Sequence, residues 1–461
     1  MVPMRQLWLA IYLPSLLIAT GQQAVVIMLP LFAFALVGGD ATGPDAAIAT
    51  SAAAATLAAT LMALRGAGSL CANVPAGLLV SRFGDRPVML GGLGLLAAAA
   101  LLLGASALLR PAGVAAGATV LFASVAATLF GAASGAWVLA RLAFVAEAAP
   151  PAWRGRALAG LGGVQRVGLL LGPVAGGLLV HAFGFGAAFA TAGACIALAF
   201  VLVVPFTHAT AVPGATAVPG ATAVPCDASI PPAVDAAPNV DPLPAGRQPR
   251  APGLHSVLAV LRDYRQVFAT AGVAVTTLAV LRAGRQLLIP LWGTLLGLDP
   301  RQVGVTFMIS SAVEIAMAWP GGWLVDRHGH KWAAVPCFAL LCASVALLPW
   351  ATDWPSLVAV AVLAGVGNGF GSGIMMTFGA GYAPPARRGE FLGVWRMMGD
   401  AGQVAGPTLI GAIAAAFSLA AATWGTAAIG LAGLAMMAFV VRVPEEAPGA
   451  ARHEGSGQVR P

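Results

Sequence analysis

Twelve runs of mostly apolar residues, each long enough to cross a bilayer, are separated by short breaks that hold most of the charge, and this pattern leaves few possible folds. The runs span 8–36, 48–80, 87–109, 114–146, 157–181, 184–205, 265–292, 302–325, 332–350, 355–381, 390–416 and 418–441. Hydrocarbon offers no water to backbone N–H and C=O groups, so runs of this kind are read as helices that bond internally. An apolar share of 59% against a charged share of 9% excludes an ordinary soluble protein, in which about a quarter of residues are charged. A net charge of +7 would suit nucleic acid, but the basic residues sit in short clusters between the apolar runs. The expected partner is membrane lipid, with no nucleic acid.

Those clusters also set orientation. Arg5, Arg82 with Arg86, Arg154 with Arg156, Arg262 with Arg265, Arg327 with Lys331, Arg387 with Arg388, and Arg442 fall in alternate connections. The intervening connections carry only Arg110 and Arg301 beside Asp40, Asp45, Asp299 and Asp353. By the positive-inside rule both termini are expected in the cytoplasm, with the chain integral to a plasma (inner) membrane. The first run continues past Val26 without a small-residue cleavage site and reads as an uncleaved span. The five cysteines suggest no disulfide framework. The sequence has a single lysine, Lys331, and no GxxxxGK[ST] segment, so it carries no ATP-binding loop of that type. No GxSxG or metal-ligand cluster points to an enzyme, and His328 and His330 lack further ligands. No cofactor is expected, and the remaining energy source is an ion gradient or a partner ATPase.

The runs divide six and six. Residues 1–205 form the first bundle, 206–262 a cytoplasmic linker, 263–443 the second bundle and 444–461 a polar tail. The linker repeats an ATAVPG-like unit three times between Ala209 and Cys226 and is expected to be a flexible tether. The two halves also repeat each other. PPAWRGR from Pro150 returns as PPARRGE from Pro384, and at that spacing Gly168, Gly172, Pro173 and Gly177 fall on Gly402, Gly406, Pro407 and Gly411. GLLVSRFGDR from Gly77 returns as GWLVDRHGHK from Gly322. Two like halves entering and leaving from one side imply an axis along the membrane normal and a central cavity.

The two loop segments resemble the G-x-x-x-D-R-x-G-R-[RK] signature of the major facilitator superfamily. Gly322, Asp326, Arg327, Gly329 and Lys331 match it in the second half, with His330 in place of one base. Gly77, Arg82, Gly84 and Arg86 match in the first half, where Ser81 replaces the acid and Asp85 a base. Gly168, Gly172, Pro173, Gly176 and Gly177 of the fifth run resemble the motif of the superfamily's exporters, especially drug/proton antiporters. The Arg-x-x-x-Gly start of the fourth-helix signature is absent from its place, where Ala127 and Thr128 stand, and Arg141 lies nearer the cytoplasm. The resemblance implies an all-α membrane protein of twelve transmembrane helices in two pseudo-symmetric six-helix bundles, a cytoplasmic gate built from the loop motifs, and a deformable contact between halves at the fifth helix. The loop charges read equally as topology signals alone, and the glycines as tight packing.

Charges within the runs are costly in lipid and must face protein or water. Glu314 stands twelve residues from Asp326 and thirteen from Arg301, about 18 Å from either end at 1.5 Å per residue. Arg65 is similarly central, while Arg166 and Asp400 occupy equivalent repeat positions. In the superfamily fold the fifth helix packs beside the eighth and the second beside the eleventh, which implies pairs Arg166–Glu314 and Arg65–Asp400. These are expected to couple proton entry to substrate movement, or else to be permanent structural pairs. Arg282, Arg285 and Asn368 are the expected substrate-cavity residues, and Trp292, Trp319, Trp350 and Trp354 the expected interface anchors. The resemblance implies a monomeric secondary transporter that uses protons to export small, drug-like organic molecules. The alternative is proton-coupled import of an organic anion, suggested by the excess of buried Arg over buried acid.

Overall fold

The computed structural model describes residues 11–37, 44–109, 112–148, 154–209, 254–384 and 387–441. The Ala209–Cys226 repeats beyond Ala209, the tail, and Arg5, Asp40, Arg110 and Arg442 lie outside them, as do the side chains of Asp45, Arg154 and Arg156.

Among the described residues the chain is helical, with no strand. The helices are α1 (Leu13–Val37), α2 (Pro44–Phe83), α3 (Asp85–Leu109) and α4 (Ala116–Ala148), followed by a continuous segment Arg154–Ala209. That segment breaks at Gly184, whose φ of 82° only glycine adopts readily, into α5 (154–183) and α6 (185–209). The second half holds α7 (Val273–Leu295), α8 (Pro300–His328), α9 (His330–Leu347), α10 (Trp354–Phe370, resuming as Ile374–Tyr382), α11 (Arg388–Ala416) and α12 (Leu419–Ala435). Nine described helices are long and apolar enough to span a membrane. One of the nine is the segment divided at Gly184; α10 falls short because it is interrupted, and α11 because Arg388, Glu390, Arg396 and Asp400 lower its hydropathy. Twelve membrane-length helices result, in two groups of six.

Polar caps set the helix starts opposite the basic end. Asp299 accepts from the Arg301 N–H at 2.8 Å, while Gln302 accepts from the Asp299 N–H at 3.0 Å, a reciprocal cap for α8. Asp353 and Ser356 do the same for α10, and Ser418 caps α12. At the basic end, Gly84 and Gly329 turn α2 into α3 and α8 into α9 with φ of 87° and 90°. Their N–H groups donate to Val80 and Val325, both at 2.8 Å, so the duplicated motif folds twice into one turn.

The helix glycines fall on two faces. Gly168, Gly172 and Gly176 lie against Ala19, Thr20, Gln23, Ala24 and Met28 of α1, and their equivalents Gly402 and Gly406 against Thr276, Ala279, Val280 and Ala283 of α7. These contacts lie within each half, which corrects the expectation that the whole fifth-helix motif joins the halves. Of these glycines only the last crosses, on the side of the helix where Pro173 also meets α8: a Cβ on Gly177 would stand 2.5 Å from the Pro300 carbonyl oxygen of α8, and one on Gly411 2.6 Å from Ala59 of α2.

The halves therefore touch along two main seams, α5–α8 and α2–α11, with a smaller contact between α1 and α7. A Cβ on Gly304 would lie 2.4 Å from the Pro173 carbonyl oxygen, and one on Gly66 3.2 Å from that of Gln403. Gly322 lies about five turns further along the same face of α8, towards the basic end, yet a Cβ there would meet nothing within 4 Å. Gly163 on α5 and Gly393 on α11 are likewise open. The bundles thus meet at the end away from the basic loops and part at the end that carries them. Gly304→Val is expected to destabilise the protein by about 1–3 kcal/mol through overpacking against backbone. Gly322→Ala is expected to be neutral or to stabilise by up to about 1 kcal/mol through helix propensity. Thermal denaturation of the two variants in detergent checks this contrast.

Candidate functional site

Between the halves lies a cavity of about 280 Å³ lined by Gln23, Val26, Arg65, Gly66, Ser69, Gln286, Asp400 and Gln403. Its walls come from α1 and α2 on one side and α7 and α11 on the other, the four helices that flank the seams. Asn73 donates to the Asp400 carboxylate at 2.7 Å, a bond from one half to the other. Arg396, one turn before Asp400, approaches it at 3.8 Å. Arg65, Ser69 and Asn73 recur every four residues, which places them on one face of α2. Arg65 lines the cavity with Asp400 but forms no ion pair or hydrogen bond among the described residues, and its Nε is buried without a partner.

A second polar cluster lies wholly within the second half. Arg285, only 5% exposed, donates to Glu314 at 3.0 Å, and Asn368 hydrogen-bonds the same carboxylate. Arg282 donates to the Gly371 carbonyl at 2.9 Å, where α10 is interrupted. At that break the Gly371 carbonyl accepts from the Ile374 N–H at 3.3 Å as well as from the guanidinium. The partner expected for Glu314, Arg166, is half-buried and forms no ion pair among the described residues. Geometry explains the difference: Glu314 is ten residues beyond Gly304 on α8 and is turned well off the face that meets α5. Arg285 and Asn368 thus hold Glu314 while Arg282 holds the Gly371 carbonyl of α10, and none of the three lines the cavity.

A model of the family described as the Major Facilitator Superfamily matches residues 11–281 and 274–461, so that the two matches together cover nearly the whole chain. The chain belongs to the Major Facilitator Superfamily. Two similar solved structures are of a POT family transporter in complex with a thioalcohol-conjugated peptide and of the peptide transporter POT in complex with sulfate. Both superpose with a TM-score of 0.67 over 94% of this chain, covering 95% and 93% of theirs, at 13% and 15% identity. At that identity the likeness is one of fold. No curated protein matches the sequence.

The superfamily's loop signature sits at the separated end. Arg82 lies over the Phe83 ring and Arg327 over the Trp323 ring, and Lys331 reaches the Ala438 carbonyl at 3.4 Å. All three contacts stay within one half. Asp85 accepts from the Arg86 N–H, capping α3. At the joined end His181 of α5 meets Asp299 ahead of α8 at 2.5 Å, an interaction across the seam. Of the tryptophans expected at the interfaces, Trp292 donates to the Ala351 carbonyl and Trp354 to Thr306 Oγ1 of α8, both at 3.0 Å. Trp319 and Trp350 are exposed.

Sequence reasoning missed Gln23, Ser69, Asn73, Gln286 and Gln403 because neutral polar side chains do not stand out in an apolar run. For Ser69, Asn73, Gln286 and Gln403 the signal was helical spacing from Arg65, Arg282 and Asp400; Gln23 had none. Removing one member of the Arg285–Glu314 pair strands a buried charge. Arg285→Met is therefore expected to cost about 3–5 kcal/mol of stability, and the double variant Arg285→Met with Glu314→Gln much less. A double-mutant cycle by thermal unfolding in detergent measures the difference.

Proposed function

We propose that this chain is a proton-coupled secondary transporter that works by alternating access, exporting small organic molecules across a plasma membrane with both termini in the cytoplasm. The observation that carries the reading is the Asn73–Asp400 bond: a titratable carboxylate at the wall of the central cavity, held by the other half at 2.7 Å. An ionised carboxylate makes a charge-assisted bond, roughly twice as strong as a neutral one. Protonation of Asp400 weakens the tie between α2 and α11 beside the cavity, so proton occupancy biases whether the halves hold or part. With the basic loops in the cytoplasm, the structure is the inward-facing state, in which the loop motifs stand apart as an open gate and His181–Asp299 closes the outer side. Closure on the cytoplasmic side brings Asp326 and Arg327 towards the facing half.

Export is supported by the likeness of the fifth-helix glycines to the exporter motif and by nothing in the cavity itself. The importer reading has its own support in the charge balance: Arg65, Arg282 and Arg285 outnumber Glu314 and Asp400 at lipid depth. The polar lining favours polar cargo over lipophilic drugs. The chain acts as a monomer, with the gradient as energy source and no cofactor.

In proteoliposomes with an imposed pH gradient, the wild type is expected to move at least one member of a compound library against its own gradient. Asp400→Asn is expected to lower that accumulation at least about tenfold while leaving downhill exchange. Unchanged accumulation in Asp400→Asn removes Asp400 from coupling. Comparing the susceptibility of cells with and without the protein to a panel of toxic compounds settles direction: resistance means export, sensitisation means uptake.

A further inference from the structure

The cavity holds one cation, Arg65, that no described residue answers. Arg282 and Arg285 are committed to the Gly371 carbonyl and to Glu314. Asp400, the acid nearest to hand, is held by Asn73 and approached by Arg396. Arg65 alone among these groups is bonded to no described residue while lining the cavity, with Nε buried. Burying a guanidinium without a counter-ion is costly, and its planar fork matches a carboxylate through two parallel bonds.

We propose that Arg65 is the specificity-determining residue of the transport site, and that the cargo is a small polar solute bearing a carboxylate which Arg65 grips. The inference rests on the transport reading above and names its substrate class. The rest of the lining agrees with it. Gln23 and Ser69 from the first half and Gln286 and Gln403 from the second supply neutral donors and acceptors around the cation, and only Val26 and Gly66 are without a polar side chain. No aromatic residue lines the space, so a flat lipophilic molecule finds no surface to stack on. The volume of about 280 Å³ falls at the lower limit of pockets that hold drug-sized ligands, which run from about 300 Å³ upward. Because Arg65 stands on one half and Gln286 and Gln403 on the other, a carboxylate solute that reaches both bridges the seam beside Asp400. Occupancy of the site thereby bears on the same α2–α11 contact that the proton loosens.

Purified full-length protein in detergent, with no gradient, is titrated with butyrate, succinate and glutamate and with the neutral isostere butyramide, and binding is read as a shift in thermal unfolding. At least one of the acids is expected to stabilise the wild type, and butyramide to do nothing. Arg65→Gln is expected to weaken that binding by about 10- to 100-fold, the loss of charged hydrogen bonds. Arg65→Lys, which keeps the charge without the fork, is expected to fall between the two. Gln286→Leu, at the other wall, is expected to weaken the same acid while leaving Arg65 intact, so a test remains if Arg65→Gln does not yield folded protein. Acids that bind no better than butyramide, or that bind Arg65→Gln as tightly as the wild type, overturn the proposal. Failure of pH-driven flux for every compound counts against the transport reading alone, because the titration needs no gradient. Flux of uncharged cargo alone, with no acid bound, sinks the Arg65 assignment and leaves that reading standing.

Discussion

An ion facing lipid costs at least about 2.5–3.5 kcal/mol on insertion scales, and that cost sorts the polar residues of α2, α7, α8 and α11 onto inward faces. Arg285 and Glu314 meet each other, Arg282 meets a carbonyl at the interruption of α10, and Asp400 meets an amide from the opposite half. Only the last bond spans the two bundles. Arg65, without a hydrogen bond or ion pair among the described residues, faces a cavity. Lipid solvates none of these groups, so each commits its helix to a rotational setting, and the cavity is the space they share.

Packing supplies the second half of the design. Glycines at equivalent positions hold α5 on α1 and α11 on α7, joining each bundle internally, while Gly177 and Gly411 bring bundle to bundle. Backbone lies against backbone at these points, which gives surfaces that fit closely in one arrangement. The contacts stop near the midplane. Beyond it, the same helix faces continue past Gly322, Gly163 and Gly393 into open space. A body built this way can exchange one closed end for the other without repacking either bundle.

Period and composition made the fold legible. Twelve apolar runs, the repeated loop segment and the repeated glycines yield two like halves, and the equivalent turns at Gly84 and Gly329 are that duplication in three dimensions. The site was less legible, because a charge's depth along a helix follows from counting residues while its direction does not. Glu314 stands at the depth that counting gives it, but ten residues of rotation from Gly304 turn it from Arg166 towards Arg285. The fifth-helix motif shows the same limit: spacing groups its glycines together, whereas the rotation of about 100° between consecutive residues assigns Gly176 to α1 and its neighbour Gly177 to α8. The neutral residues that line the cavity carry no charge to mark them in a run of alanine and leucine.

Alternating access requires the two ends to move in opposition. Spin labels at Ser81 and Gly389 report the separation of the bundles at the basic end, and labels at Phe183 and Arg301 report it at the other. Pulsed electron resonance distances, taken in lipid at high and low pH, should show a population in which the first distance shortens while the second lengthens, starting from the state seen here, closed at the Phe183 end. Distances that stay fixed under all conditions, or that widen together, would contradict a pair of bundles rocking about a central cavity.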